Sequence, residues 1–378
     1  MNLTRQFTDF FESEKAGGII LICCTVVSLV LANSAVGAGY KGLWESSISG
    51  IPVSLLINDG LMAVFFLMIG LELERELYTG ELSDWRSASL PVVAALGGMM
   101  VPSAIYLIFN FGSIYHRGAG IPMATDIAFA VGIISLLGNK VPSTLKVFLI
   151  ALAVIDDLGA VLVIAVFYTG SFSLIHLLIA LAIFGFLLAL NRLRVDNLFV
   201  YLTGGLALWY FIHESGIHAT ISGILLAFAI PFRKGAADSP SNRLLHVLHK
   251  PVAFFVLPLF ALSNTGIELT RDHFGSLTEP YAFGILAGLV IGKPLGILLF
   301  TSIAHFSGIS PLPRDLNWCS LTGAGFLAGI GFTMSIFITL LAFTEPYLVS
   351  NAKLAILIGS TMAGIAGFSI LKYGVRKC

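Results

Sequence analysis

Charge is what this sequence has least of. Of its 378 residues only 11% are Asp, Glu, Lys or Arg, against about 25% in soluble domains. Twenty-one basic and 21 acidic side chains cannot coat the polar surfaces that a soluble chain of this length presents. Their balance leaves no electrostatic basis for binding nucleic acid. Cysteine is also scarce. Cys23, Cys24, Cys319 and Cys378 have neither disulfide-framework nor zinc-ligand spacing and read as small apolar residues or terminal thiols. Low-complexity tracts and soluble linkers are missing, so residues 1–378 read as one membrane domain. What is abundant is carbon: 57% of residues are hydrophobic, 29 of them phenylalanine, and the mean hydropathy is +0.94. That composition belongs in lipid.

The first fifteen residues lack the pattern of a secretory signal. Leu3, Phe7, Phe10 and Phe11 fall at helical spacing beside Arg5, Asp9, Glu12 and Lys15, which suits a short helix on the membrane surface or a solvated tail. Apolar runs able to cross about 30 Å of hydrocarbon then recur. They are Gly17–Val36, Leu55–Leu71, Leu90–Phe109, Ile121–Leu137, Leu145–Tyr168, Leu174–Leu190, Leu198–Ile212, Ile217–Phe232, Val252–Leu269, Ala282–Ala304, Cys319–Phe343 and Ala352–Leu371. The expected architecture is therefore an all-α polytopic membrane protein of about twelve spans. An even number puts both termini on one side. Sixteen of the lysines and arginines fall in segments on that side and four (Lys41, Arg117, Arg271 and Lys353) in the opposite loops, so the termini are expected in the cytoplasm. Lys293 belongs to no loop, since it sits midway along the tenth span. The long inner loop from Arg233 to Lys250 has room for a short helical piece. The outer segment Trp44–Ser54, with Gly50 between two apolar arms, suits a small hairpin or a plain loop.

The charges inside the spans carry the information. A central Asp or Lys costs about 2.5–3.5 kcal/mol on insertion, so each needs a partner, a water cavity or a purpose. Asp156 and Asp157 lie midway along the fifth span in A-L-A-V-I-D-D-L-G-A, and Asp126 follows Thr125 in the fourth. Adjacent residues on a helix point about 100° apart, so the pair can address one cavity but cannot clasp each other. A structural ion-pair knot is the alternative to function, but Lys293 neutralises only one of three carboxylates. Two remain for cations or protons.

The fourth and eleventh spans share a second feature. Gly118, Gly120 and Pro122 precede the Thr125–Asp126 pair, and Gly323, Gly325, Gly329 and Gly331 precede Thr333. Such interruptions at corresponding places in two halves point to broken helices around a midplane site; close helix packing explains the same glycines. A correspondence shifted by seven spans reverses direction, so spans three to five and ten to twelve would form an inverted repeat. Gly323, Gly325 and Ala328 also fit a loose dinucleotide fingerprint, but within a membrane span that motif has no meaning.

Several stretches resemble bacterial sodium/proton antiporters of the NhaA type nearly end to end: Ile57 to Glu72, A-T-D-I-A-F-A from Ala124, A-V-I-D-D-L-G-A from Ala153, S-G-I-H-A-T from Ser215, I-G-K-P-L-G from Ile291 and G-I-G-F-T-M-S-I-F from Gly329. The resemblance implies a plasma-membrane antiporter that exports Na⁺, and Li⁺ with it, against entering protons, without a cofactor. It implies that Asp156 and Asp157 bind the cation and carry protons, and that Thr125 and Asp126 lie where two broken helices cross. It also implies that Lys293 is linked to the first aspartate of the pair. Helix ends facing a midplane cavity want charges of the signs Asp126 and Lys293 carry. The resemblance further implies a pH response at the inner side, with Glu72 and Glu76 as candidates, and a homodimer; family members pair partly through an outer hairpin, and the corresponding loop here is short. His218, His246 and His249 match family positions; a structural hydrogen bond is the plainer role for each. Glu72, Glu74, Arg75 and Glu76 by themselves suit a solvated face. Asn242 and Leu245 depart from the lysine and glutamate of the best-known relatives, which puts a pH cluster built on His246 in doubt.

The residues agree with that implication independently. Na⁺ is a hard cation that wants oxygen ligands, and Asp156, Asp157 and Thr125 supply them. A carboxylate removed from water holds a proton more readily, which makes the proton a competitor. Two other classes fit worse. An intramembrane aspartyl protease needs carboxylates facing each other from two helices. A sodium-coupled symporter needs core groups for an organic solute, and Thr125, Thr322, Thr333 and Ser335 are few.

Overall fold

The computed structural model describes residues 3–48, 50–168, 172–233, 239–308, 310–313 and 315–374; side chains 3–15, 81, 86, 139, 271 and 272 lie outside the description. The expected amphipathic pattern of the first fifteen residues lies outside the described side chains; the backbone from Leu3 onward belongs to one unbroken helix, Leu3–Ala32. Among the described residues, eight helices are long and apolar enough to cross a membrane, or up to ten if each of two bent pairs is one span. The seventh and eighth expected spans coincide with shorter helices, Leu198–Glu214 and Ile221–Ala229. The segment expected outside, Trp44–Ser54, does form a hairpin, with Ser47–Ile48 antiparallel to Ile51–Pro52 and Gly50 at φ +85°, a conformation glycine adopts without strain.

Burial is organised for lipid. The fifth span, Ser143–Phe167, buries Leu145, Leu149, Leu152, Asp156 and Ala160 at helical spacing, while Leu162 and Val166 face outward. The apolar surface therefore lies on the outside, as a hydrocarbon solvent allows.

Several expected boundaries move, among them the end of the second span, now Thr79, and the start of the twelfth, now Pro346. The first span ends at Ala32, and Gly37–Glu45 folds back at 115°. The fourth starts at Ile114, because Ile114–Met123 is a 3-10 helix whose tight winding gains about 2.0 Å per residue. Its Tyr115, His116 and Arg117 hide it from a hydropathy reading. The ninth starts at Pro240 and runs to Asn264, so the short inner helix and the span are one element. Ser239 caps its first turn, and a π turn at Val252–Val256 follows Pro251. A π turn accommodates a helix that would otherwise break at a missing N–H.

The third span packs on the fourth and fifth as the tenth packs on the eleventh and twelfth, the arrangement an inverted repeat requires. The third and tenth also pack on each other. At their contact a Cβ on Gly97 would lie 2.3 Å from Gly296 O, and one on Gly296 would lie 2.1 Å from Gly97 O. Only two glycines allow that approach. Lys293 stands one turn from it.

Candidate ion site at the crossing of two broken helices

The fourth span breaks between Met123 and Ile127. Pro122 has no N–H to continue the ladder, Ala124 and Asp126 are extended, and Ile127–Leu136 restarts the helix with Asp126 as its cap. The eleventh bends by 44° between Ala328 and Phe332. Its Gly329 has ordinary helical torsions, but a Cβ there would lie 2.4 Å from Leu289 O. Close packing and the helix break thus use the same residue. The two breaks cross: the Asp126 N–H donates to Ile330 O at 2.7 Å.

At the crossing, two helix N-termini and two C-termini meet. Asp126 answers the N-termini. Its Oδ1 accepts from the Phe129 N–H at 3.0 Å, and its Oδ2 accepts from the Thr333 N–H at 3.0 Å and from the Thr333 hydroxyl. A carboxylate among the partial positive charges of unsatisfied N–H groups is favoured there. Lys293 answers the opposite ends, donating to Met123 O at the end of the 3-10 segment. It also pairs with Asp156 Oδ2 at 2.6 Å. The π turn Gly288–Gly292 immediately precedes Lys293; such turns alter side-chain direction and recur at functional sites.

Thr125 Oγ1 lies 2.7 Å from Asp156 Oδ2 and 2.9 Å from Ala328 O. Its single proton has two acceptors, so one of them is always left to another donor or a cation. Asp156, Asp157 and Lys293 are 0% exposed. Among the described residues, Asp156 Oδ1 and both oxygens of Asp157 have no hydrogen-bond partner. Three orphaned carboxylate oxygens on one turn of a buried helix are costly, at about 1–3 kcal/mol for each unmet group, and call for an occupant.

A cavity lies between the second, fourth, fifth and ninth spans. Phe65, Met68 and Glu72 of the second span, Ile127, Ile150, and His249 and Val252 of the ninth line it. Glu72 is buried and lies within electrostatic range of Asp157. Glu74 is buried too and accepts from Ser241 Oγ at 2.7 Å. The expectation of a solvated acidic face from Glu72 to Glu76 is therefore wrong for these two, because the ninth helix extends far enough to cover them. Glu76 is half-buried and lies 3.4 Å from its neighbour Arg75. His246 is exposed beside buried Leu245. His218 is at the opposite end, its Nε2 2.8 Å from Tyr168 O, near Asp59. The sequence-predicted site thus separates: Thr125, Asp126, Asp156, Asp157 and Lys293 converge, Glu72 lines the separate cavity, and Glu76, His246 and His218 stand apart.

Two residues were misplaced. Glu74 sits two positions from Glu72, which on a helix is another face, and only the neighbouring helix reveals its burial. Lys353, assigned to an outer loop, stands instead on the helix Pro346–Ser369 and reaches Asn264 Oδ1 at 3.2 Å. Its place seven residues after Pro346 was the available signal.

Broken helices crossing in a bundle of apolar spans, with buried ionisable groups at the crossing, define the architecture of a secondary transporter. The chain matches the Na⁺/H⁺ antiporter 1 family over residues 8–371, and it belongs to that family. It is 58% identical to the Na⁺/H⁺ antiporter NhaA 1 of Flavobacterium johnsoniae, over 99% of this chain and 98% of the relative. It is 58% identical to the NhaA of Flavobacterium psychrophilum, over 100% and 98%, and 47% identical to that of Vibrio cholerae, over 98% of each.

Proposed function

We propose that the protein exports Na⁺ and Li⁺ across the bacterial plasma membrane in exchange for entering protons, with both termini in the cytoplasm. The observation that carries this reading is the set of three unpartnered carboxylate oxygens on Asp156 and Asp157. An acid that is buried and unmet holds either a proton or a hard cation, and a site that alternates between the two is an exchanger. Thr125 Oγ1, 2.7 Å from Asp156 Oδ2, is the foremost further oxygen ligand.

Asp157 is the principal ligand and proton carrier. Asp156 shares both roles while Lys293 compensates its charge. Asp126 and Lys293 hold the crossed helix ends in balance, so that the two broken spans can tilt together as alternating access requires. Cation binding takes two ionised carboxylates and the return takes two protons. One positive charge therefore moves inward per cycle, and the exchange is electrogenic. Acid inhibits, because protons compete for the same oxygens. The chain works as a homodimer, for which the hairpin exposes Ile48 and Ile51.

Everted vesicles carrying a pH-gradient dye test the function. Na⁺ and Li⁺ pulses are expected to collapse the gradient and K⁺ is not; a response to none of them ends the proposal.

A further inference from the structure

The second and ninth spans meet the ion-carrying helices differently at their two ends. At the basic-rich end they stand back and leave the cavity lined by Glu72 and His249. At the other end they are tied. Asn58, in the π turn Leu56–Leu61 that opens the second span, accepts from Asn264 Nδ2 of the ninth at 2.7 Å. Asn264 Oδ1 in turn lies 3.2 Å from Lys353 Nζ on the twelfth. The twelfth packs on the tenth and eleventh, whereas the ninth packs mainly on the first, with smaller contacts to the opening turn of the second and to the second half of the eleventh. The chain Asn58–Asn264–Lys353 thus bridges the helices that carry the ion site and those that do not.

Lys353 has no acidic partner within that bridge: among the described residues its one hydrogen bond is to the Asn264 amide. An ammonium in an apolar slab that meets a neutral acceptor is held weakly when the site is closed and is well hydrated when water enters. Those are the properties of a contact made to break. A carboxylate partner would lock it, and an apolar side chain would oppose wetting of the opened end.

We propose that Lys353 is a positioning residue for transport. Its bond to Asn264, and through Asn264 to Asn58, closes the outer end, and release of that bond opens the Asp157 site outward. The inference rests on the alternating-access reading above, and its test does not require transport.

The protein is reconstituted with Cys23, Cys24, Cys319 and Cys378 replaced by serine. Two reporters are introduced separately: Met68→Cys in the inner cavity, and Ser263→Cys beside Asn264, where the native hydroxyl is buried without a partner. A membrane-impermeant maleimide is applied from each side. Lys353→Met is expected to raise outer labelling at 263 several-fold and to lower inner labelling at 68. Lys353→Arg is expected to restore the parent pattern. Where Lys353→Met does not fold, Asn264→Ala removes the acceptor and carries the same expectation. Parent-like labelling in a folded Lys353→Met or Asn264→Ala protein overturns the gate. Shifted labelling in Lys353→Met, made from a parent that fails to exchange Na⁺ for protons, would uphold the gate and refute the function.

Discussion

Asp126 and Asp157 are both buried carboxylates of the same membrane core, yet their surroundings are opposite. Asp126 lies at the broken turn of the fourth span and accepts from Phe129 and Thr333. Asp157 lies in the unbroken fifth span, and neither of its oxygens has a partner among the described residues. A broken helix exposes N–H groups that satisfy an acid; a continuous helix consumes its own N–H groups and leaves an acid unmet. On the proposed function, helix interruption and cargo binding fall to different spans. The crossing builds a fixed electrostatic frame, and the intact helix presents the acid that remains available.

The strongest challenge to this contrast is Asp157→Asn. It preserves shape but loses the cation-binding charge and the proton site, so exchange should fall to background in a protein that remains folded. Near-normal exchange in the purified variant would remove Asp157 from its role. Lys293→Ala comes next. It leaves Asp156 buried with its ion partner gone and should cost about 3–5 kcal/mol, read as a lowered melting temperature in detergent. An unchanged melting temperature would mean that the 2.6 Å pair contributes nothing. Asp126→Ala should destabilise less, by about 1 kcal/mol for the lost cap and roughly 1–3 kcal/mol for the stranded Thr333 N–H. If it instead behaved as Asp157→Asn does, abolishing exchange with no loss of stability, the division between frame and cargo would fail.

Proton competition sharpens the contrast through pH. Where protons occupy the pair, the apparent Na⁺ constant should rise about tenfold for each pH unit lost, if one proton is displaced. Its logarithm then changes with pH at a slope near about −1, approaching roughly −2 if two coupled carboxylates compete. Na⁺ affinity in proteoliposomes from about pH 6.5 to 8.5 reads this, in a window where a buried carboxylate can titrate. A flat profile would exclude direct competition. The smallest effect is expected from the histidines. His246→Ala should leave the slope intact, and His218→Ala, at the far end from the cavity, should at most move the midpoint. A profile flattened by either change would identify a separate sensor.

The site acids were legible in the sequence for a physical reason. A chain with so little charge makes each carboxylate within an apolar run conspicuous, because membrane insertion penalises it. Asp126, Asp156, Asp157 and Lys293 therefore stand out without coordinates, and the runs themselves predict an all-α bundle. The broken fourth and eleventh spans were marked by Pro122 and Gly329, whose local effects do not depend on distant residues. The hairpin around Gly50 was likewise a local matter. Errors appeared where one helix covers another. Glu74 seemed solvated until the ninth helix, starting at Pro240, brought Ser241 against it. Lys353 seemed a loop charge until Asn264 lay beside it.

What only the tertiary structure decided is which buried charge is answered and which is left. Lys293 and Asp156 are 137 residues apart, and Thr333 and Asp126 are 207 apart. Electrostatic energies depend on separation in space, and hydropathy carries no information about separation across a fold. The sequence determined that this chain would bury acids in a membrane. The crossing of two broken helices decided that Asp126 would be satisfied, that Asp156 would be shared with Lys293, and that Asp157 would be left unmet.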